Sequence, residues 1–298
     1  MRSFRQLMSR GGGLSAMNSM QRMSVTISIA RSEFTTGRSD VETCKVIFVR
    51  SLIACLLVHW CTPSYGQDGG KPDIQYGQFE VSRTSAQLVD LVGSASMLDP
   101  LDDDEPISWR MYVPETYDSS KPAGLMVYIS PTSSGAIRGD WRPVIDSENL
   151  IWIGANQSGN RTRTNKRILL ATLAPYLASE SYEIDPDRVY LSGFSGGGKA
   201  AGLASVHLAR LFRGAIFICG AESWSDVEPE QLLMAAPNRY VFVTGSRDFN
   251  NTLTRRVHRK FERAGLVNSK LMVISGMDHS TPDAEHFREA MLYLDRRE

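Results

Sequence analysis

The stretch Arg188-Val-Tyr-Leu-Ser-Gly-Phe-Ser-Gly-Gly-Gly-Lys199 decides the fold. In it an apolar run typical of a strand meets a glycine-rich turn around Ser195, and an alanine-rich helical pattern follows. Strand, sharp turn and helix form the context in which a serine is held in a strained, exposed conformation. Residues beside such a turn must be small, because side chains there would collide with neighbouring backbone. Ser195 is therefore a candidate nucleophile, although a bare G-x-S-x-G motif often arises by chance.

Apolar runs alternate with amphipathic segments along the chain outside this stretch. The runs predicted as strands are 79–83, 107–113, 124–129, 150–155, 189–191, 212–221, 239–244 and 271–274. The segments predicted as helices are 164–181, 199–211, 252–264 and 283–294, while the weak helical spacing of 85–97 leaves that segment open. This alternation predicts an α/β fold, with a mostly parallel central sheet and helices on both faces. About 17 residues separate Ala221 from Arg239, too few for a large lid.

A serine nucleophile needs a base that takes its proton and a carboxylate that orients the base. Of the five histidines, His279 follows a predicted strand directly and lies in a Gly/Asp/Ser/Pro-containing loop, so we predict it as the base. His286, in the last predicted helix, is the alternative. Asp248 follows the predicted strand 239–244 and is the predicted acid, with Asp226 as the alternative. In parallel sheets such strand ends share one edge, where ligands bind.

The chain order Ser195, Asp248, His279 is that of the α/β-hydrolase fold. The segment Asp185-Pro-Asp-Arg-Val-Tyr-Leu-Ser-Gly-Phe-Ser-Gly-Gly-Gly198 resembles the nucleophile turn of the secreted poly(3-hydroxybutyrate) depolymerase and feruloyl esterase-like group. The resemblance covers about residues 107–298. It implies hydrolysis of carboxylic esters through an acyl-enzyme on Ser195. The substrate stays open, because this fold hosts many reactions.

Two backbone donors should hold the negatively charged oxygen of the transition state. One is the amide of Gly196, the residue after the candidate nucleophile. The other should follow the predicted strand 124–129, where many family members have His-Gly and this chain has Ser130-Pro131. Because proline has no N–H, we predict Thr132 as the donor, with Ser133 as the alternative.

Two features after other strands are predicted to line the substrate pocket: Trp224, and the loop 156–160 beginning with Asn156. A basic set nearby is either a solvated helix face or an attraction for an anionic substrate. Its members are Arg161, Arg163, Lys166 and Arg167.

The first 66 residues differ from the rest. Arginines without acids come first, an apolar core at 52–60 follows, and small residues lie before Gln67. This pattern predicts a signal peptide or N-terminal targeting region over 1–66, with cleavage near Gly66 and a catalytic domain over 67–298. Secretion or periplasmic localisation follows from it. The length before residue 40 favours a later start codon, and a lipid anchor at Cys55 is the alternative processing.

Composition excludes several partners. The 33 basic and 33 acidic residues cancel, so no global basic field favours nucleic acid. No cysteine and histidine spacing indicates a zinc site, and five acids at 99–105 favour a solvated loop over a calcium site. After cleavage Cys219 would be the single thiol, inside an apolar run. We therefore expect no cofactor and no metal, a small-molecule or polymeric ester as substrate, and membrane contact only during export.

Two other functions remain compatible with the sequence. A serine peptidase of the same fold would use the same three residues. A catalytically silent binding protein could retain the scaffold without the activity.

Overall fold

A computed structural model of the protein describes residues 74–93, 98, 101 and 107–296. The predicted targeting region 1–66, with Cys44, Cys55 and Cys61, lies outside these residues. So do the acidic residues of the stretch 99–105, and the predictions made for both segments are untested. Within the part of the chain that is described, no helix is long and apolar enough to cross a membrane.

The described residues form one eight-stranded sheet. Its strands are β1 (Gly77–Arg83), β2 (Ile107–Val113), β3 (Ala123–Ile129), β4 (Leu150–Ala155), β5 (Ile184–Phe194), β6 (Gly214–Ile218), β7 (Arg239–Gly245) and β8 (Ser269–Ile274). Their order in the sheet is β1-β2-β4-β3-β5-β6-β7-β8. The first two pairs in this order, β1 with β2 and β2 with β4, are antiparallel, and the five pairs from β4 to β8 are parallel. The predicted strands and the mostly parallel sheet are confirmed.

Seven α-helices cover this sheet in the described chain. They are α1 (Ser85–Val92), α2 (Arg142–Ser147), α3 (Thr164–Ser179), α4 (Gly196–His207), α5 (Pro229–Ala235), α6 (Asn251–Arg263) and α7 (Ala284–Leu294). The open segment 85–97 holds a helix, which Thr84 caps through its hydroxyl and which ends before Gly93 at positive φ. The short helices α2 and α5 were not predicted from the sequence. Each has a proline in its first turn and too few residues for a helical period to show.

The helices bury apolar residues on both faces of the sheet. Helices α2 and α7 contribute Val144, Ile145, Phe287 and Met291 to one cluster. Helices α3, α4 and α6 contribute to the cluster on the other face, for example Leu169, Ala201 and Phe261. Strands β3, β4 and β6 are buried along their whole length, as expected for central strands covered on both sides.

The connection between β6 and β7 bears on access to the sheet edge. In the described chain its one regular element is the seven-residue helix α5. The prediction that this connection is too short for a large lid is therefore confirmed.

A buried ion pair fastens the C-terminal helix to the sheet. The Arg188 guanidinium donates to both carboxylate oxygens of Asp295, at 2.8 Å and 2.6 Å, and to the Glu148 carbonyl at 2.7 Å. The Tyr190 hydroxyl donates to the same carboxylate at 2.5 Å. The two charged side chains are only 8 % and 14 % exposed. Removal of one partner would leave the other charged group buried and unpaired.

Asp295→Ala should lower the free energy of unfolding by about 3–5 kcal/mol, the usual cost of breaking a buried pair. Urea denaturation measures the change. The matched control is Glu289→Ala, which breaks the more exposed Lys270–Glu289 pair and should change stability by about 1 kcal/mol or less. Equal effects of the two variants would contradict the assignment of Arg188 and Asp295 as an anchor.

Candidate active site

Three parallel strands end near one another and carry the polar residues of the site. Ser195 follows β5, Asp248 lies in the turn after β7, and His279 lies in the loop after β8. Strand β6 separates β5 from β7, and β8 pairs directly with β7. The carboxyl ends of these strands meet at one edge of the sheet, where the sequence predicted a site.

The backbone at Ser195 has the strained conformation predicted for the turn. Its φ is 55° and its ψ is −118°, a region that residues with side chains rarely adopt. The turn is packed so closely that Gly193 and Gly197 have no room for a side chain. A Cβ on Gly193 would collide with the Gly197 backbone, and a Cβ on Gly197 would collide with the Ile129 carbonyl. The Ser195 amide donates to the Ile218 carbonyl of β6 at 2.8 Å, which fixes the turn against the next strand.

The three predicted residues form a continuous chain of hydrogen bonds. His279 Nε2 lies 2.9 Å from Ser195 Oγ, and His279 Nδ1 lies 2.7 Å from Asp248 Oδ1. With the Nδ1 proton on the side of the carboxylate, Nε2 is left to accept the serine proton. This geometry is the arrangement in which an imidazole can act as a general base toward a hydroxyl.

Asp248 is held ionised in a buried position. It is 5 % exposed, and burial alone would raise its pKa. Hydrogen bonds outweigh burial. The Thr244 hydroxyl donates to Oδ2 at 2.7 Å and the Asn250 amide donates to Oδ1 at 3.0 Å. Together with His279 and Cys219 they lower the pKa of Asp248 below its ordinary value.

The alternative residues lie elsewhere. His286 Nδ1 lies 2.8 Å from the Asp283 carboxylate at the start of α7, where Asp283 caps the helix. Asp226 is exposed in the loop after β6, and the carboxylate that contacts His279 is that of Asp248. The structure thus brings Asp248 and His279 into one hydrogen-bonded chain with Ser195, and their catalytic roles stay a prediction.

Two aromatic rings flank His279, and sequence reasoning missed both. The Phe249 ring stacks on the imidazole with ring centroids 3.9 Å apart, yet Phe249 is 76 % exposed. The Phe194 ring lies 5.1 Å from the imidazole and is partly buried. The signal available in the sequence was their position, directly beside Asp248 and Ser195. An exposed phenylalanine at this edge leaves an apolar surface beside the candidate base.

Cys219 lies behind the histidine loop. Its side chain is buried, as predicted, and Sγ is 3.2 Å from the Ser280 carbonyl. Burial raises the pKa of the thiol to about 12, with the nearby Asp248 charge adding to the effect. The ligand atoms of Cys219, Asp248 and His279 all lie within 4.8 Å of one another. Asp248 and His279 hydrogen-bond each other, and the raised pKa keeps the Cys219 thiol protonated. We therefore interpret this cluster as part of the hydrogen-bonded site and not as a set of metal ligands.

The predicted oxyanion donors differ in their availability. Gly196 is the first residue of α4, and the first amides of a helix have no partner within the helix. The Thr132 amide, predicted as the second donor, instead donates to Ser130 Oγ at 3.1 Å. The prediction for Thr132 fails because the serine before the proline turns back and satisfies that amide, a local bond typical of serine in turns.

The two residues predicted to line the pocket, Trp224 and Asn156, both contact the surrounding fold. Trp224 is 7 % exposed and packs on Phe261 of α6, with ring centroids 4.8 Å apart. The Asn156 carboxamide accepts from the Gly135 amide at 3.1 Å and donates to Ser108 Oγ at 2.9 Å, so it joins β2 to the loop after β3. Contact of either residue with a substrate stays a prediction.

The basic set does not act as one surface. Arg161 and Arg163 are exposed, and Lys166 is partly exposed. Arg167 is 5 % exposed and donates to the Ser130 carbonyl at 2.9 Å. Burial lowers the pKa of this guanidinium. The Arg167 side chain thus supports the loop after β3 from beneath.

The sequence and the structure were compared with those of known proteins. No protein-family profile and no curated protein matches the sequence. Among solved structures, a serine-to-alanine variant of the feruloyl esterase module from Clostridium thermocellum, complexed with sinapinate, matches with a TM-score of 0.50 and 14 % identity over 64 % of this chain and 82 % of the module. The chain has the α/β-hydrolase fold. A candidate dipeptidyl aminopeptidase IV from Bacteroides ovatus matches equally well, with a TM-score of 0.50 and 14 % identity over 73 % of this chain and 35 % of that protein.

The similarity confirms the predicted α/β-hydrolase fold and its likeness to feruloyl esterases at the level of the fold. At 14 % identity it carries nothing about the substrate. The likeness to poly(3-hydroxybutyrate) depolymerases stays a prediction.

The lowered pKa of Asp248 predicts how stability depends on pH. Because the pKa is lower in the folded than in the unfolded protein, ionised Asp248 stabilises the fold at a pH above its unfolded value of about 3.9. That contribution is lost as the pH falls through the folded value. Asp248→Asn should therefore be less stable than the wild type at neutral pH, and the gap should shrink on acidification. Urea denaturation of both proteins between about pH 3 and pH 7 measures it; a gap independent of pH would contradict the prediction.

Proposed function

We propose that the protein is a serine hydrolase that cleaves carboxylic esters through an acyl-enzyme on Ser195. The observation that carries the proposal is the unbroken chain of hydrogen bonds from Ser195 Oγ through His279 to the buried Asp248 carboxylate. The strained turn that presents Ser195 supports it, because such strain persists where the surrounding structure enforces it for function.

The chemistry follows from the placement of the three side chains. His279 Nε2 takes the Ser195 proton while Oγ bonds to the ester carbonyl carbon and the carbonyl oxygen becomes an anion. The Gly196 amide at the start of α4 donates to that oxygen. The imidazolium then passes its proton to the alcohol oxygen as the bond from carbon to that oxygen breaks. Water, activated by the same nitrogen, releases the acid and restores Ser195. Asp248 stays ionised and stabilises the imidazolium in both halves.

The short connection between β6 and β7 favours a bulky or polymeric ester as the substrate. In the described chain the one regular element of this connection is α5, so the connection holds no large lid. Strand ends without such a lid would admit a bulky ester. Hydrolysis of peptide bonds by the same three residues is the competing outcome, and a binding protein without activity is the other.

A fluorophosphonate probe should label the wild-type protein at Ser195, and Ser195→Ala should not be labelled. Residues 67–298 should hydrolyse p-nitrophenyl acyl esters and hydroxycinnamate esters, in a panel that also contains chromogenic peptides. Asp248→Asn should lower kcat by about 10⁴-fold, because an amide favours the wrong imidazole tautomer. Labelling with cleavage of peptides alone would favour a peptidase. A folded protein with neither labelling nor turnover would favour a binding scaffold.

The exposed Phe249 ring predicts a preference on the alcohol side of the ester. His279 protonates the leaving alcohol, so groups beside its imidazole face that part of the substrate. Phe249→Ala should lower kcat/KM for benzyl esters by about tenfold, equal to roughly 1.4 kcal/mol of lost aromatic contact. Methyl esters of the same acid should be affected less. Leu233→Ala is the matched control, since Leu233 is 75 % exposed on α5. An equal loss for both esters would point to disturbance of His279 instead.

A further inference from the structure

We propose that the carboxamide of Asn160 is the second oxyanion donor, in place of a backbone amide of the loop after β3. This assignment rests on the proposed function, because a donor acts only if Ser195 attacks a carbonyl. It makes Asn160 a catalytic residue that hydrogen-bonds the reacting oxygen. Four observations around the start of α4 support it.

The loop that usually supplies the second donor is poorly equipped in this chain. Pro131 has no N–H. The next amide, that of Thr132, donates to Ser130 Oγ, and the hydroxyls of Ser130 and Thr132 lie 3.0 Å apart. Use of the Thr132 amide for catalysis would require this turn to open first. The backbone amide of Ser133 remains the alternative to Asn160 as the second oxyanion donor.

The loop after β4 reaches the same place. The Asn160 amide donates to the Pro131 carbonyl at 3.0 Å, and the Gln157 amide donates to the Ser133 carbonyl at 2.8 Å. Gly159 lies so close to Thr132 that a Cβ there would be 3.0 Å from the Thr132 carbonyl carbon. These contacts fasten Asn160 across the loop after β3, on the side that faces α4.

The carboxamide of Asn160 lies against Gly196, whose backbone amide is the first proposed oxyanion donor. A Cβ added to Gly196 would collide with Asn160 Oδ1, and it would be 3.3 Å from Nδ2. The absence of a side chain at Gly196 is what lets this carboxamide approach the end of α4. The carboxamide therefore lies next to Gly196, the residue whose amide begins α4 and near which the negative charge of the intermediate would collect.

The chemistry of the group fits a donor. Within the residues that the structure describes, no hydrogen bond occupies the Asn160 carboxamide, and the residue is exposed. The terminal torsion of asparagine is soft, so the amide can turn Nδ2 toward an oxyanion. Hydrogen bonds of this kind often tighten only when the charge develops. The role moves no proton and breaks no bond.

The test compares Asn160→Ala and Asn160→Asp with Leu233→Ala, a control on α5 whose side chain is 75 % exposed. Asn160→Ala should lower kcat for an ester by about 10²–10³-fold with little change in KM, the effect of removing one oxyanion donor. Asn160→Asp has the same shape but replaces the donor with a negative charge, so its loss should be at least as large. Leu233→Ala should retain the activity of the wild type.

A second measurement separates a catalytic from a structural role. An alkyl boronic acid forms a tetrahedral adduct on a serine and mimics the intermediate. Its inhibition constant should rise in Asn160→Ala by a factor similar to the loss of kcat, while thermal unfolding stays unchanged. If Asn160→Ala does not fold, the isosteric Asn160→Asp carries the comparison.

The outcomes keep the two proposals apart. Absence of labelling and turnover in the wild type overturns the proposed function itself. A wild type that is active and labelled at Ser195, with Asn160→Ala within threefold of it, overturns only the role of Asn160 and assigns the second donor to the Ser133 amide. A loss of activity matched by an equal loss of stability would also overturn it, because Asn160 would then be structural.

Discussion

The parallel alignment of β5, β6, β7 and β8 is the constraint on which the site depends. Parallel neighbours end on the same edge of the sheet, so residues far apart along the chain come within hydrogen-bonding distance there. Ser195 and His279 are separated by 84 positions, yet Oγ and Nε2 are 2.9 Å apart. The core beneath these strands holds that spacing, since β6 is buried along its whole length. The packing that stabilises the sheet therefore also holds Ser195, His279 and Asp248 at hydrogen-bonding distance.

The hydrogen-bonded chain of Ser195, His279 and Asp248 also depends on hydrogen bonds that outweigh the effect of burial on the pKa of Asp248. Burial disfavours the carboxylate, and a turn with fewer donors would leave it protonated more readily. The chain avoids this with Thr244 at the end of β7 and with the Asn250 amide two residues after the acid. A buried anion that is already satisfied by donors needs no reorganisation when His279 becomes charged. The same short turn also holds the exposed Phe249, so one segment of chain provides both the charge and the apolar surface beside His279.

Much of this arrangement could be predicted from the sequence, and the failures have physical reasons. Ser195, Asp248 and His279 follow apolar strands, and strand ends are readable from pattern alone. The prediction of Thr132 as an oxyanion donor failed because its amide donates to Ser130 Oγ. That hydrogen bond depends on the rotamer of Ser130, which no sequence pattern reveals. The packing of Trp224 on Phe261 was not predicted, because an aromatic residue after a strand can face a helix or a cleft and the sequence does not distinguish the two. The sequence did not single out Asn160, because its side chain approaches Gly196 only after two loops have folded together.

The positive φ of Ser195 has a consequence for the balance between activity and stability. A backbone region that suits glycine is occupied here by a residue with a side chain, at a cost on the order of 1–3 kcal/mol. Ser195→Gly would remove the proposed nucleophile and relieve that strain together, so this variant should unfold at a higher temperature than the wild type. If the proposed function holds, the residue that gives the protein its activity is thus also one that lowers its stability.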